Sequence, residues 1–409
     1  MPLTTPADLT TKSPAGGLRP VEEPFRIAAL DVIRGFALLG VFAENIQRYV
    51  AQPSDPVNLL AARFVRYALQ GNFYPVYSFL FGVGITLQLQ ASWARDRRPV
   101  WLHLRRMGAL LLVGLGFFIF LDPNLVLINY ALLGIGLVPL RRLAPRSVLA
   151  VGLAILALAA IYPFLETPLL GLRGSDRATQ VATTLGAETA RISADIEAGS
   201  YRDVVADAIG FLAWHWRVPS FYRWWGHILA MLVLGMWACR QGIFTHTSEH
   251  LRFLRRCVWV TLPVAIASSL LGNLSERPVV PALGMPWSHN LRIAILTLGS
   301  SAAAFLFVAA LTLMVRRERW ARVLHVLTYP GRLSLTNFVA QSVVMTGAFY
   351  GFGLHLNGKI DVVESLLAVA IVYAAQTWLS ALWLRRFRIG PLEWLWRVLA
   401  YGTRLPIRI

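Results

Sequence analysis

Ten apolar blocks, each about the length that crosses a bilayer core, constrain this chain more than any other feature. They run roughly over 27–50, 73–94, 107–123, 124–141, 147–164, 222–240, 257–273, 291–315, 333–352 and 361–384. Hydrophobic residues make up 56% of the 409 positions and charged ones only 15%, against about a quarter charged in soluble domains. The sequence therefore predicts an all-α integral membrane protein, a bundle of about ten transmembrane helices embedded in a lipid bilayer.

The formal net charge of +18 invites a nucleic-acid reading, but the placement of the charge excludes it. Arginines gather in the short connections: Arg95, Arg97, Arg98, Arg105 and Arg106; Arg141, Arg142 and Arg146; Arg252, Arg255 and Arg256; Arg316, Arg317, Arg319 and Arg322; Arg385, Arg386 and Arg388. This is the pattern that orients helices with basic loops inside. With ten spans, every cluster and both termini fall on the cytoplasmic side, which predicts a bacterial cytoplasmic (inner) membrane protein. The basic face suits anionic headgroups or a soluble cofactor bearing several phosphates. Cys239 and Cys257, the two cysteines, fall at helix ends on that reducing side, which argues against a disulfide framework or thiolate metal site.

Residues 1–25 hold five prolines and no apolar run, and they read as a flexible cytoplasmic tail followed by one membrane domain over 26–402. Asp122-Pro123-Asn124 marks a tight external turn between the third and fourth spans. The outer segment 165–221 differs from the other loops: from Glu166 to Arg217 it carries seven acidic residues against five arginines. Its part Tyr201 to Arg217 reads as an amphipathic interfacial helix. A last helix, 391–401, begins at Pro391, with Glu393 and Arg397 spaced to pair and Trp394 and Trp396 suited to the headgroup layer. It is either an interfacial anchor or a basic wall around a cytoplasmic entrance.

The first span, in LDVIRGFALLGVFAENI, carries a polar stripe. Asp31 and Arg34 are helix-face neighbours, and Asn45, eleven residues on from Arg34, returns to nearly the same azimuth, with Glu44 roughly 80° away. Such groups face a bundle interior or a water-filled cavity, so the stripe either locks helices together or lines a pathway. Ser334, Asn337 and Gln341 repeat the pattern in neutral form on the ninth span, either bonding a neighbouring helix or facing the first helix across a cavity. His103, His246, His250 and His325 read as solvated or lipid-facing, and His355 falls in a short outer loop. His215, His227 and His289 lie toward the outer side, and no histidine has metal-ligand spacing. Gly82 and Gly84, and Gly134 and Gly136, read as sites of close helix approach.

RIAALDVIRGFALLGVFAENI, GNFYPVYSFLFGVGITLQLQA, INYALLGIGL, GRLSLTNFVAQS and FRIGPLEWLWR together resemble the YeiB-like membrane proteins, those with domain of unknown function 418. The opening helix is also similar to that of a broader transmembrane acyltransferase superfamily. The resemblance implies a roughly ten-helix bundle that accepts an acyl group from cytoplasmic acyl-CoA, with no permanently bound cofactor. The group would pass to a glycan, lipid or small metabolite near the outer face. By that analogy Asp31 and Arg34 would sit at the donor, and Ser334, Asn337 and Gln341 would line the facing wall. Related acyltransferases use a histidine where this chain has Asn45, or in the first outer loop, and residues 51–72 contain none. Glu44, Asn45 and His227 are therefore the candidates for the acceptor side, with His215 and His289 able to fold over it. The alternative expectation is a transporter or export protein using the same stripe as a substrate path; a third is a structural or regulatory membrane protein.

Overall fold

A computed structural model describes residues 27–95, 99–122, 124–172, 200–215, 220–274, 284–403 and 406–408. The N-terminal tail and the centre of the 165–221 segment lie outside the described residues. Hydrocarbon offers no partner to a backbone amide, so an apolar run must satisfy its own N–H and C=O groups as a helix. Helices accordingly stand at all ten apolar blocks, and no strand occurs among the described residues. In chain order they are α1 (Ala28–Asn45), α2 (Pro56–Phe64), α3 (Tyr74–Arg95), α4 (Pro99–Phe120), α5 (Val126–Ile135), α6 (Leu137–Leu140), α7 (Pro145–Leu172) and α8 (Tyr201–His215). There follow α9 (Ser220–Arg240), α10 (Leu251–Leu274), α11 (Gly284–Val315), α12 (Glu318–Leu324), α13 (Thr328–Arg332), α14 (Ser334–Phe349), α15 (Val362–Leu384) and α16 (Pro391–Tyr401).

Five of these, α4, α7, α10, α11 and α15, are long and apolar enough to cross a membrane. The predicted fourth span, 124–141, is instead divided into α5 and α6. Pro139 has no N–H to give the Ile135 carbonyl, and the Gly136 amide bonds Leu133 O at 3.0 Å, tightening the turn. The ten residues of α5 cover about 15 Å, half a bilayer core.

On the ten-span expectation the arginine-bearing connections share one end of the bundle, here called the basic end. At the opposite end lie the joints α1–α3, α4–α5, α10–α11 and α14–α15. Asn58 ties that end together: its amide donates to Asp55 at 2.6 Å and to Asp361 at 2.9 Å, and its carbonyl accepts the Val363 amide. Asp55 caps α2, and Asp361 caps α15 in a capping box. Bonds from Asn58 and from nearby backbone N–H groups hold the Asp55 carboxyl below the usual range, so this cap stays charged well below neutral pH.

Helix α1 occupies the middle, against α3, α11, α13, α14 and α15. It gets there by touching backbone. A Cβ on Gly35 would lie 2.1 Å from Leu327 O, and one on Gly331 would lie 1.9 Å from Asp31 O. Helices α3 and α9 meet the same way through Gly82 and Gly235, as the glycine spacing predicts for the first of these.

The two C-terminal motifs prove to touch. The Glu393 carboxylate accepts the Leu335 and Thr336 amides at 2.8 and 3.1 Å and the Thr336 hydroxyl, so GPLEWLWR supplies the N-cap that α14 lacks in its own sequence. Gly390 is required there, since a Cβ would strike Glu393 and Thr336. Tyr401 bonds Arg106, and Trp396 donates to Arg106 O at 2.9 Å, which seats α16 on α4.

Gly35→Ala is expected to destabilise the bundle by about 1–3 kcal/mol through overpacking. Gly108→Ala, in open space, should be neutral or gain up to about 1 kcal/mol. Unfolding of the detergent-solubilised variants checks both. Glu393→Ala removes a cap and should cost about 1–2 kcal/mol, read in the same way, with Glu393→Gln retaining part of it.

Candidate functional site

The polar stripe of α1 is divided between the two ends. Toward the basic end, Asp31 is 5% exposed and meets Arg34 Nη1 at 3.0 Å. A buried carboxylate requires such a partner, and the three-residue spacing on one helix supplies it. The Arg34 side chain stays 29% exposed, beside the bare backbone of Gly84 on α3. Two tyrosines secure the α1 backbone here: Tyr77 donates to Arg34 O at 3.2 Å and Tyr373 to Gly35 O at 2.7 Å.

The neutral stripe on α14 makes its bonds to α15. Asn337 donates to Ser380 Oγ at 2.9 Å, Gln341 donates to Gln376 Oε1 at 3.0 Å, and Gln376 returns a bond to Asn337 O at 3.1 Å. Of the two readings of this face, the helix-to-helix one describes those bonds. Ser334, at the start of α14, is half-buried.

Toward the opposite end the stripe reaches a cavity. Glu44 Oε1 accepts the Gly71 amide at 2.8 Å, with Asn45 half-buried beside it. Gly71 adopts a left-handed backbone, φ 77°, which a side chain would strain. Gly71 lines a cavity of about 240 Å³ together with Arg66, Tyr74, Arg223, Arg292 and Ser300. Its walls come from four places: the irregular turn after α2, the first turn of α3, the first turns of α9, and α11 against α10.

Behind Tyr74 lies His227, fully buried. Its Nδ1 is 2.6 Å from the Tyr74 hydroxyl and its Nε2 is 2.7 Å from Ser301 Oγ. The Ser301 hydroxyl donates its single proton to Thr297 O at 3.0 Å, so Nε2 carries the hydrogen that bonds Ser301. Nδ1 is then an acceptor, and Tyr74 donates to it. Both nitrogens of the buried imidazole are thus held by hydroxyls, one of them the Tyr74 phenol at the cavity wall.

The other histidines fall elsewhere. His289 is exposed on α11 and His215 ends α8. His103 is buried inside α4, 3.1 Å from Gly134 O, where the sequence reading made it solvated or lipid-facing. The reason is that α4 starts at Pro99, eight residues before the apolar block. Asp122, read as part of an external turn, is likewise buried. It accepts the Ser342 hydroxyl at 3.2 Å and lies 3.8 Å from Arg48, which fastens the α4–α5 joint to α14.

Of the candidate residues, Glu44 and His227 thus reach the cavity through Gly71 and Tyr74. Sequence reasoning missed Tyr74, Ser301 and the three cavity arginines. One signal was available for the last, because Arg66, Arg223 and Arg292 stand apart from the arginine clusters of the short connections.

Five helices able to cross a bilayer, packed about an interior that buries charge and amides, define a helical membrane protein. Residues 238–403 match the family model described as "Protein of unknown function (DUF418)", and YeiB-like relatives align with nearly the whole chain. It is similar to the uncharacterized protein YxaH of Bacillus subtilis, 27% identical over 95% of this chain and 98% of the relative. It is also similar to the uncharacterized protein YeiB of Escherichia coli, 29% identical over 93% and 98% respectively. An uncharacterized 39.9 kDa protein in the amylase 3′ region of Bacillus acidopullulyticus is 26% identical over 95% and 97%.

Tyr74→Phe leaves a buried imidazole nitrogen without its donor and should cost about 1–3 kcal/mol. The double variant Tyr74→Phe/His227→Leu should recover part of that loss, a coupling that a double-mutant cycle of unfolding free energies measures.

Proposed function

We propose that this protein is an acyltransferase of the bacterial cytoplasmic membrane, with ten spans and both termini inside. It takes an acyl group from cytoplasmic acyl-CoA and delivers it to a glycan, lipid or small metabolite held at the outer end of the bundle. The observation that carries this reading is the bond from Tyr74 to His227 Nδ1 at 2.6 Å on the wall of a polar cavity, an acid–base pair where an acceptor would sit.

In the reaction, an acceptor hydroxyl or amine adds to the thioester carbonyl. Its proton passes to the Tyr74 oxygen while the Tyr74 proton moves to His227 Nδ1. Collapse of the tetrahedral adduct breaks the C–S bond, and the departing thiolate is protonated in turn by the same relay or by water. Glu44 and Asn45 shape the cavity floor, the first by fixing the Gly71 amide. Asp31 and Arg34 shape the path of the donor, and the arginines of the basic end offer the positive surface that the phosphates of coenzyme A require. Ser334, Asn337 and Gln341 support the wall across from α1, the two amides through their bonds to α15.

Radiolabelled acetyl-CoA presented to the full-length protein in lipid nanodiscs tests this. Saturable binding is expected, weakened by Arg34→Ala and retained by His227→Gln. Transfer to an extract of envelope glycans and lipids should fall by about 100-fold or more in His227→Gln, the usual contribution of a general base. Absence of saturable acyl-CoA binding by the intact protein overturns the reading. Substrate-dependent flux with no acylated product would assign the same cavity to transport.

A further inference from the structure

Between α11 and α13 the chain makes an elbow, Arg316 to Leu327. Helix α11 is one of the five long and apolar enough to cross a bilayer, and its apolar stretch closes at Val315. Helix α12 begins at Glu318, so the elbow leaves the long helix where hydrocarbon gives way to headgroups. Backbone fixes the break between the two helices. The Arg317 amide bonds Met314 O at 2.9 Å, Arg317 itself is extended at φ −95° and ψ 121°, and its carbonyl accepts the Ala321 amide at 2.8 Å to open α12. At the far side the Thr328 hydroxyl bonds His325 O at 2.6 Å.

Going round α12 at about 100° per residue, Arg322 and Arg319 come first, then Val323 and Trp320, then Leu324 and Ala321, with Glu318 completing the circle. Leu324 and Ala321 are half-buried, and Leu324 packs on the core that α1, α3, α9 and α11 share. The neighbouring sector is apolar yet uncovered, with Val323 60% and Trp320 39% exposed. The sector beyond it is basic and exposed, and the Arg319 guanidinium lies 6.0 Å from the Trp320 ring centre. Over 316–322, four arginines less one glutamate leave three positive charges in excess. An apolar edge beside a basic edge, on a short helix that starts where a long apolar one stops, suits an element lying in the bilayer surface. An indole favours the headgroup layer, and guanidinium groups pair with phosphate oxygens.

We propose that the elbow Arg316–Leu327 is a docking site for anionic lipid. Trp320 and Val323 enter the acyl boundary, and Arg316, Arg317, Arg319 and Arg322 hold the phosphate headgroups. The excess of positive charge selects a net-negative lipid over a zwitterionic one. This docking does not rest on the transferase reading. At the other end of the elbow Leu327 O lies against Gly35 of α1. Lipid that holds the elbow therefore also holds the seat of the central helix, and unfolding of the bundle reports the binding.

Full-length protein is placed in nanodiscs of phosphatidylcholine alone or mixed with phosphatidylglycerol, and thermal unfolding is followed. The anionic lipid is expected to raise the unfolding midpoint, and the rise should shrink at about 1 M salt, where screening is strong. Arg319→Gln/Arg322→Gln should lose roughly half of the rise or more, because two of the four cations are gone. Arg319→Lys/Arg322→Lys keeps the charge and should retain most of it. Trp320→Ala/Val323→Ser should also reduce the rise, which a purely electrostatic attraction would not show. All four side chains are exposed, so these variants keep the interior packing. Arg385→Gln/Arg386→Gln, an exposed pair after α15, removes equal charge elsewhere and should have a smaller effect. No rise with phosphatidylglycerol, a rise untouched by the elbow variants, or an equal loss in the Arg385/Arg386 pair overturns the proposal. Pyrophosphate that raises the midpoint in pure phosphatidylcholine, with the same dependence on Arg319 and Arg322, overturns it in favour of a soluble anion. A dimer that Trp320→Ala/Val323→Ser dissociates overturns it in favour of a second copy of this chain.

Discussion

Everything in this bundle depends on two helical segments touching with nothing between them. At Gly35 and Gly331 the backbone of α1 lies against the 324–332 stretch, and that contact is what admits α1 to the middle of the molecule. Its central position then dictates its chemistry. A helix surrounded by α3, α11, α13, α14 and α15 cannot leave Asp31 solvated, so the aspartate is held by Arg34 three residues on. The same helix, continued for nearly three turns, carries Glu44 to the amide of Gly71, which lines the cavity. One rod therefore connects a buried ion pair near one end with a polar chamber near the other.

The chamber itself is made by helix termini and irregular backbone, where amides are not consumed by the helical ladder. Gly71 and the segment before it present backbone groups, and the first turns of α3 and α9 present side chains. His227 sits one layer back, tied on both ring nitrogens. Such a residue is well fixed in orientation and reaches the cavity only through the Tyr74 oxygen. This arrangement separates the group that contacts a ligand from the group that would hold its proton.

Hydropathy located every long helix, because the length of an apolar run is a one-dimensional property. It misjudged edges wherever polar residues are buried. His103 and Arg106 lower the hydropathy of the first turns of α4, yet Gly134 O accepts one and Tyr401 and Gln88 hold the other. Periodicity identified the polar face of α14 but not its neighbour, since Asn337 and Gln341 would read alike whether they met α1 or α15. The cavity was least legible. Tyr74 and His227 are separated by 153 positions, and the arginines at 66, 223 and 292 belong to no shared local pattern, so only the folded chain brings them together. The YeiB-like resemblance, by contrast, was readable from the two C-terminal motifs. The structure supplies a physical reason why they occur together, since Glu393 of one caps the helix that the other begins.

That cap also sets an order of events during biosynthesis. The amide of Leu335 waits for a carboxylate 58 residues downstream, which a ribosome working at about 5–20 residues per second delivers several seconds later. Until then the entry into α14 has no anchor, and α15 has already had to leave the ribosome. The last pair of long helices is therefore completed only once α16 has emerged, which makes that short helix a late-arriving clasp on the bundle.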